Sequence, residues 1–159
     1  MRRLMTFLVA AAVLALVPAA KADDRAVVEA FYTQLLSAPN APDIEQRVAK
    51  VLVDKWVSIP TPRGGKDASG FIKSLKGFGA VIPDLKWEIQ EVLQDGNRYI
   101  VRSIATGTPV KPFFGVEPTG KSFKIMTIDI HTVENGRIAT SYHVEEWAKA
   151  IKQIKGGTH

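Results

Sequence analysis

The chain contains no cysteine. Disulfides, thiol nucleophiles, thiolate metal sites and a lipidated cysteine after the leader are therefore excluded. An apolar run long enough to anchor in a bilayer is also missing: the stretch from Met5 to Val17 falls short of the roughly 20 residues a span needs, and Pro18 interrupts it. No stripe of Lys and Arg interleaved with aromatics is present, which argues against a nucleic-acid partner. There is no internal repeat, and no acidic residue stands before Asp23.

What stands at the N-terminus is Met1-Arg2-Arg3, the apolar run, Pro18 and the small-residue site Ala20-Lys21-Ala22. That order is expected of a secretory signal peptide over residues 1–22, leaving one domain over 23–159. The expected product is periplasmic or secreted, with no stable membrane anchor after cleavage near Ala22. Losing Arg2, Arg3 and Lys21 lowers the formal charge from +5 to +2, so the basic character belongs largely to the precursor. The remaining length suits a single core.

Within that domain the first segments read as helices. Val27, Ala30, Phe31, Gln34 and Leu35 recur at helical spacing behind an acidic start, and Pro39-Asn40-Ala41-Pro42 ends the run. Asp43 is placed to cap a second helix carrying Ile44, Val48 and Val51-Leu52, followed by a short strand over Trp56–Pro60 and a turn from Thr61 to Gly65. A third helix is predicted from about Asp67 to Gly77. After Asp84 the pattern alternates: strands over Leu85–Val92, Tyr99–Thr106, Ser122–Val133 and Ile138 to about Val144, then a last helix from Glu145 to Ile154. Helices first and a meander after them predict an α+β domain, with the helices on one face of a curved antiparallel or mixed sheet.

The last hairpin, around Glu134-Asn135-Gly136, admits two registers. A two-residue type I′ loop sets Asp129 opposite Tyr142; a three-residue loop with a G1 bulge sets Ile128 opposite Tyr142. One residue of slip exchanges the faces. The bulged register gathers Met126, Ile128, Ile130, Ile138, Tyr142 and Val144 on one side and Asp129, His131, Ser141 and His143 on the other, and that separation favours it. Glu146 then ends the apolar row, where partial desolvation suits a general acid or base; the plainer reading is that Glu145 and Glu146 charge the first turn of a helix.

The motif order resembles the SnoaL-like polyketide cyclases (ester cyclases), a branch of the nuclear-transport-factor-2-like superfamily. The likeness rests on Trp56–Pro60 with Arg63-Gly64-Gly65, on Val81-Ile82-Pro83-Asp84-Leu85, on Gly107-Thr108 with Gly115-Val116-Glu117-Pro118-Thr119-Gly120-Lys121, and on Gly136-Arg137-Ile138 through Tyr142 and Glu146 to Gln153-Ile154. It implies a cone-shaped sheet enclosing a cavity, a homodimer, and aldol ring closure by an acid/base carboxylate with no metal or organic cofactor. The carboxylate's place falls on Glu146. The family's histidine is replaced by Pro109, which can neither carry a proton nor polarise a carbonyl.

Trp56, Phe71, Phe113, Met126, Ile128 and Tyr142 are the candidate substrate-binding residues, for a small hydrophobic molecule; Phe78, Trp87 and Phe114 are further aromatics suited to core or pocket. His131 and His143 sit on paired strands, but two imidazoles without a third ligand do not make a metal site. Asp129 near Arg102 offers an acid/base pair like that of epoxide hydrolases sharing the cone fold, but neither residue sits in a recognisable signature, and a surface ion pair is the plainer reading. Two functions fit: a cofactor-independent cyclase, isomerase or hydrolase acting on a hydrophobic carbonyl compound, or a non-catalytic binder of a small apolar ligand.

Overall fold

The computed structural model describes residues 22–59 and 66–157. Leader residues 1–21, Pro60, the Thr61–Gly65 turn with Arg63, and His159 lie outside the described residues. The elements run α1 (Ala22–Ala30), a π-helical continuation (Phe31–Leu36), α2 (Ile44–Val51), β1 (Leu52–Ile59), α3 (Ala68–Val81), β2 (Lys86–Asp95), β3 (Arg98–Gly107), β4 (Phe123–Glu134), β5 (Arg137–Glu145) and α4 (Trp147–Lys155). Among the described residues, no helix is long and apolar enough to cross a membrane.

The five strands form one mixed sheet in the order β1-β5-β4-β3-β2. Three antiparallel pairings join β2 to β5, and β1 runs parallel to β5 along the other edge. That parallel pairing starts β1 at Leu52, residues earlier than the Trp56 suggested by sequence, because Leu52 is already set against Ile138. The core fills the space between the helices and the sheet's inner face, with Tyr32, Leu35, Trp56, Ile82, Val101 and Ile138 fully enclosed. Burying each such large side chain contributes about 1.5–3 kcal/mol.

Local chemistry explains the helix ends. The Asp67 carboxylate accepts the Gly70 N–H at 2.7 Å and starts α3. The helix continues past Gly77 to Val81 because Gly79, which has no side chain, packs against Asn40, whose amide donates to the Gly79 carbonyl at 3.0 Å. At the end of the first helix the backbone widens, Ser37 N–H reaching the Tyr32 carbonyl at 2.9 Å. The wider turn lets Phe31, Tyr32 and Leu35 all bury against the sheet. Ser37 pins that end, its hydroxyl accepting the Trp87 N–H at 2.8 Å and donating to the Trp87 carbonyl at 3.2 Å.

Beyond its turn the last hairpin takes neither register expected from sequence. The turn is the two-residue loop: Glu134 pairs with Arg137, and Asn135 (φ 51°) and Gly136 (φ 73°) both take positive φ. The bulge lies on β5 instead, where Ala139 is extra between Val133↔Ile138 and Thr132↔Thr140. Beyond it Asp129 faces His143 and Ile130 faces Tyr142. The separation of a polar row from an apolar row therefore survives, except for Ile138, which the bulge moves onto the buried face. The polar row is the inner one. Asp129, His131 and Ser141 are buried, whereas Met126, Tyr142 and Val144 are exposed on the outer face.

The residues behind the family likeness act as joints. Asp84 accepts the Thr108 N–H at 2.7 Å and its hydroxyl at 2.8 Å, and that hydroxyl also meets Ser122 at 2.8 Å. The Thr119 hydroxyl donates to the Ile154 carbonyl near the end of α4, and Gln153 bonds both the N–H (2.8 Å) and the carbonyl (3.1 Å) of Lys124. They lock the loop after β3 and the last helix onto the sheet.

Candidate active site

A cavity of about 160 Å³ opens between the inner face of the sheet and α3. One part of its wall is apolar, made by Phe31, Phe71, Leu75, Phe78, Trp87 and Trp147; the other is polar, made by Ser58, Lys66, Asp129, Ser141, His143 and Glu145. Phe31 and Phe71 stack nearly parallel, with ring centres 5.4 Å apart, and form a flat apolar side. A shallower apolar groove of about 240 Å³ lies between α3 and Pro112-Phe113-Phe114. The cavity and the groove share Ser74 and Phe78.

Asp129 is the central polar group. It is only 3% exposed, and its Oδ2 accepts the Tyr32 hydroxyl at 2.9 Å. Among the described residues, Oδ1 takes no hydrogen bond. Burial pushes its carboxyl up to about 7, against a counter-effect of the Tyr32 hydrogen bond; Glu145 raises it further and His143 lowers it. The hydroxyl of Tyr32 is itself pushed well above its ordinary range, first by burial and then by Asp129.

Facing Asp129 across the β4–β5 ladder is His143. Its Nδ1 lies 2.8 Å from Glu145 Oε1, and that bond, ahead of the opposing effect of burial, holds the imidazole above its usual pKa. Its Nε2 is buried with no partner among the described residues, as is Trp87 Nε1. Lys66 adds a cation at the polar end, lowered by burial and partly restored by Glu145. Behind Asp129, His131 is enclosed; burial brings it down to about 3, so it stays neutral.

The structure separates the residues expected from sequence. Phe71 lines the cavity, and Trp56 sits behind its wall with ring centres 5.0 Å from Phe71. Phe113 is buried among Phe78, Phe123 and Trp147 and lines the groove rather than the cavity. Met126, Ile128 and Tyr142 belong to the outer face, because the apolar row of the hairpin turns away from the helices. Glu146 is also outside. Its Oε2 accepts the Met126 N–H at 3.0 Å and meets Lys149 Nζ at 3.2 Å, and those bonds hold its carboxyl below the usual range. The surface pair expected of Asp129 with Arg102 is absent, since Arg102 binds Glu91 at 3.2 Å.

The missed residues had a signal. Asp129 and His131 alternate on one strand, and Ser141, His143 and Glu145 alternate on the next, so five polar groups share one face. Among the described residues, no group of three or more His, Cys, Asp or Glu is arranged to hold a metal ion.

No curated protein matches this sequence. Solved structures do. TsrD from Streptomyces laurentii superposes with a TM-score of 0.71 at 20% identity, covering 87% of this chain and 98% of that one. IdmH from Streptomyces antibioticus, described as a candidate polyketide cyclase, gives 0.71 at 21% identity, with 83% and 98% covered. A candidate SnoaL-like polyketide cyclase from Jannaschia sp. CCS1 gives 0.73 at 15% identity, with 86% and 94% covered. Identities this low establish the fold, and not the substrate. The model of the SnoaL-like polyketide cyclase family matches residues 26–154, nearly the whole described domain. By that match and by its α+β architecture, the chain belongs to the SnoaL-like polyketide cyclase family.

Proposed function

We propose that this protein is a cofactor-independent acid/base enzyme acting on a small hydrophobic carbonyl compound, with Asp129 as the proton-transferring group. The observation that carries this reading is a buried carboxyl on the cavity wall, held by Tyr32 at one oxygen only and poised at about 7. A base poised near the working pH is what proton abstraction next to a carbonyl requires. The Asp129 carboxylate takes the α-proton on Oδ1, and the electron pair moves onto the carbonyl oxygen. The His143 Nε2–H, oriented by Glu145 at Nδ1, hydrogen-bonds the developing oxyanion and keeps its hydrogen, and Asp129 then returns the proton to carbon as the carbonyl re-forms. Phe31, Phe71 and Trp147 enclose the apolar body of the substrate and exclude water.

A test uses α-tetralone, an apolar aryl ketone with one enolisable CH₂, in deuterated buffer. The wild type should accelerate deuterium incorporation, and Asp129→Asn should lose ~10²–10⁴-fold of that rate. Binding without exchange supports the second reading, a carrier of a small apolar ligand. The position of Glu146 favours that reading, because the carboxylate at the family's acid/base place is engaged by Lys149 and the Met126 N–H. Two further proposals accompany either function. The order Arg2-Arg3, apolar run and Ala20-Lys21-Ala22 supports export to the periplasm or beyond. The exposed Leu93, Met126, Tyr142 and Val144 on the outer face support a homodimer.

A further inference from the structure

Behind Asp129 a chain of four buried side chains crosses the sheet. Trp56 Nε1 on β1 lies 3.0 Å from Ser141 Oγ on β5; Ser141 Oγ lies 2.8 Å from His131 Nδ1 on β4; His131 Nε2 lies 2.9 Å from the Tyr32 hydroxyl. Tyr32 then reaches Asp129 Oδ2 at 2.9 Å. Each of the four is at most 2% exposed.

The direction of this chain follows from what each atom can do. An indole N–H donates and never accepts, so the Ser141 oxygen receives the Trp56 hydrogen. A neutral imidazole has one donor and one acceptor nitrogen, and enclosure keeps His131 neutral. If Nδ1 carried the hydrogen, Ser141 Oγ would receive two donors, and its own hydrogen would have no partner among the described residues. With the hydrogen on Nε2, every polar hydrogen is used: Trp56 donates to Ser141, Ser141 to His131, His131 to Tyr32 and Tyr32 to Asp129.

We propose that Trp56, Ser141, His131 and Tyr32 form a one-way relay of hydrogen bonds that fixes the Nε2–H tautomer of His131, aims the Tyr32 hydroxyl at Oδ2 of Asp129, and leaves Oδ1 as the oxygen that exchanges a proton with substrate. The four are positioning residues; none of them lines the cavity at the reacting oxygen except Ser141, which shows its edge there. The proposal rests on Asp129 being the acid/base group, but its own readout does not need turnover. Each bond in the chain polarises the next, so removing the first donor is felt at the last acceptor.

The test is nitrogen-15 NMR of the His131 ring in the intact protein, with a pH titration of the Asp129 carboxyl carbon. The groups that face Asp129 in that titration are Tyr32 from the π-helical segment, His131 on its own strand, His143 and Glu145 from β5, and Lys66; β3 contributes only Val101 opposite. The wild type is expected to show a protonated Nε2 and a bare Nδ1. In Tyr32→Phe, which keeps the ring, the Asp129 midpoint should move up by about one unit as the donor is lost. In Trp56→Phe the His131 signal should shift toward the Nδ1–H form, and the Asp129 midpoint should move up by less. A purely structural Trp56 would lower stability and leave both readouts in place. A protonated Nδ1 in the wild type overturns the relay even if Asp129 titrates near neutrality; an Asp129 midpoint near the ordinary carboxyl value overturns the functional reading instead. If Trp56→Phe fails to fold, Ser141→Ala removes the group that would accept from an Nδ1–H, so the His131 signal should stay in the Nε2–H form while the Asp129 midpoint still moves up; a change of tautomer in that variant overturns the relay.

Discussion

Replacing Asp129 with asparagine should stabilise the protein at alkaline pH while ending proton transfer at that position. The ordinary carboxyl value of 3.8 rises to about 7 in the fold, a gap of about three units. At 1.36 kcal/mol per unit this is ~4 kcal/mol of preference for the protonated form. The sign follows from which state holds the proton. Below pH 3.8 the folded and unfolded chains are both protonated there, and the group costs nothing. As pH climbs through the window up to about 7, the unfolded chain ionises while the folded chain does not, so stability falls with pH. Above that window the loss is constant. Asparagine has no such loss, and its carbonyl still accepts the Tyr32 hydroxyl. Urea unfolding of both proteins from pH 3.5 to 8.5 should therefore show the variant's relative stability growing by ~4 kcal/mol across the range. A parallel pair in a His143→Gln background removes the neighbouring imidazole from the comparison. A difference that stays flat between pH 4 and 8 would refute the buried, protonated carboxyl and the mechanism built on it.

Glu146→Gln should leave ketone exchange unchanged, since its side chain points away from the cavity; a loss comparable to that of Asp129→Asn would restore Glu146 as the acid/base. Met126→Lys combined with Val144→Glu should convert a dimer to monomer in sedimentation velocity without altering the circular dichroism spectrum, because both side chains are exposed. Gly107→Ala would put a Cβ into Ile82 Cγ2, 3.4 Å from Phe123 Cζ and 3.5 Å from the Leu85 backbone. It should cost about 1–3 kcal/mol of unfolding free energy in urea.

Sequence spacing revealed the frame but not its orientation. The start of α3 near Asp67, the turns at Gly96-Asn97 and Asn135-Gly136, and the alternation of β2 to β5 are local features, each set by a few neighbouring residues, whereas the cap expected of Asp43 is not made, its carboxylate binding Arg47 at 2.8 Å instead. The parallel pairing of β1 with β5 joins segments more than eighty residues apart and leaves no trace in either. Alternation on β4 and β5 shows that two faces differ, and it does not say which is buried. Hydrophobicity pointed the wrong way, since a polar row can be enclosed when its members satisfy one another, as Tyr32, Asp129, His131 and Ser141 do. Glu146 was misplaced for the same reason: it ends the row that faces out.

The joints made by Asp84 with Thr108, Thr119 with the Ile154 carbonyl and Gln153 with Lys124 draw on residues that carry the family likeness. None of them lines the cavity. That part of the likeness is thus inscribed in the carpentry of the domain, apart from its cavity. A chain that keeps these joints keeps the frame of the domain, whichever side chains line its cavity.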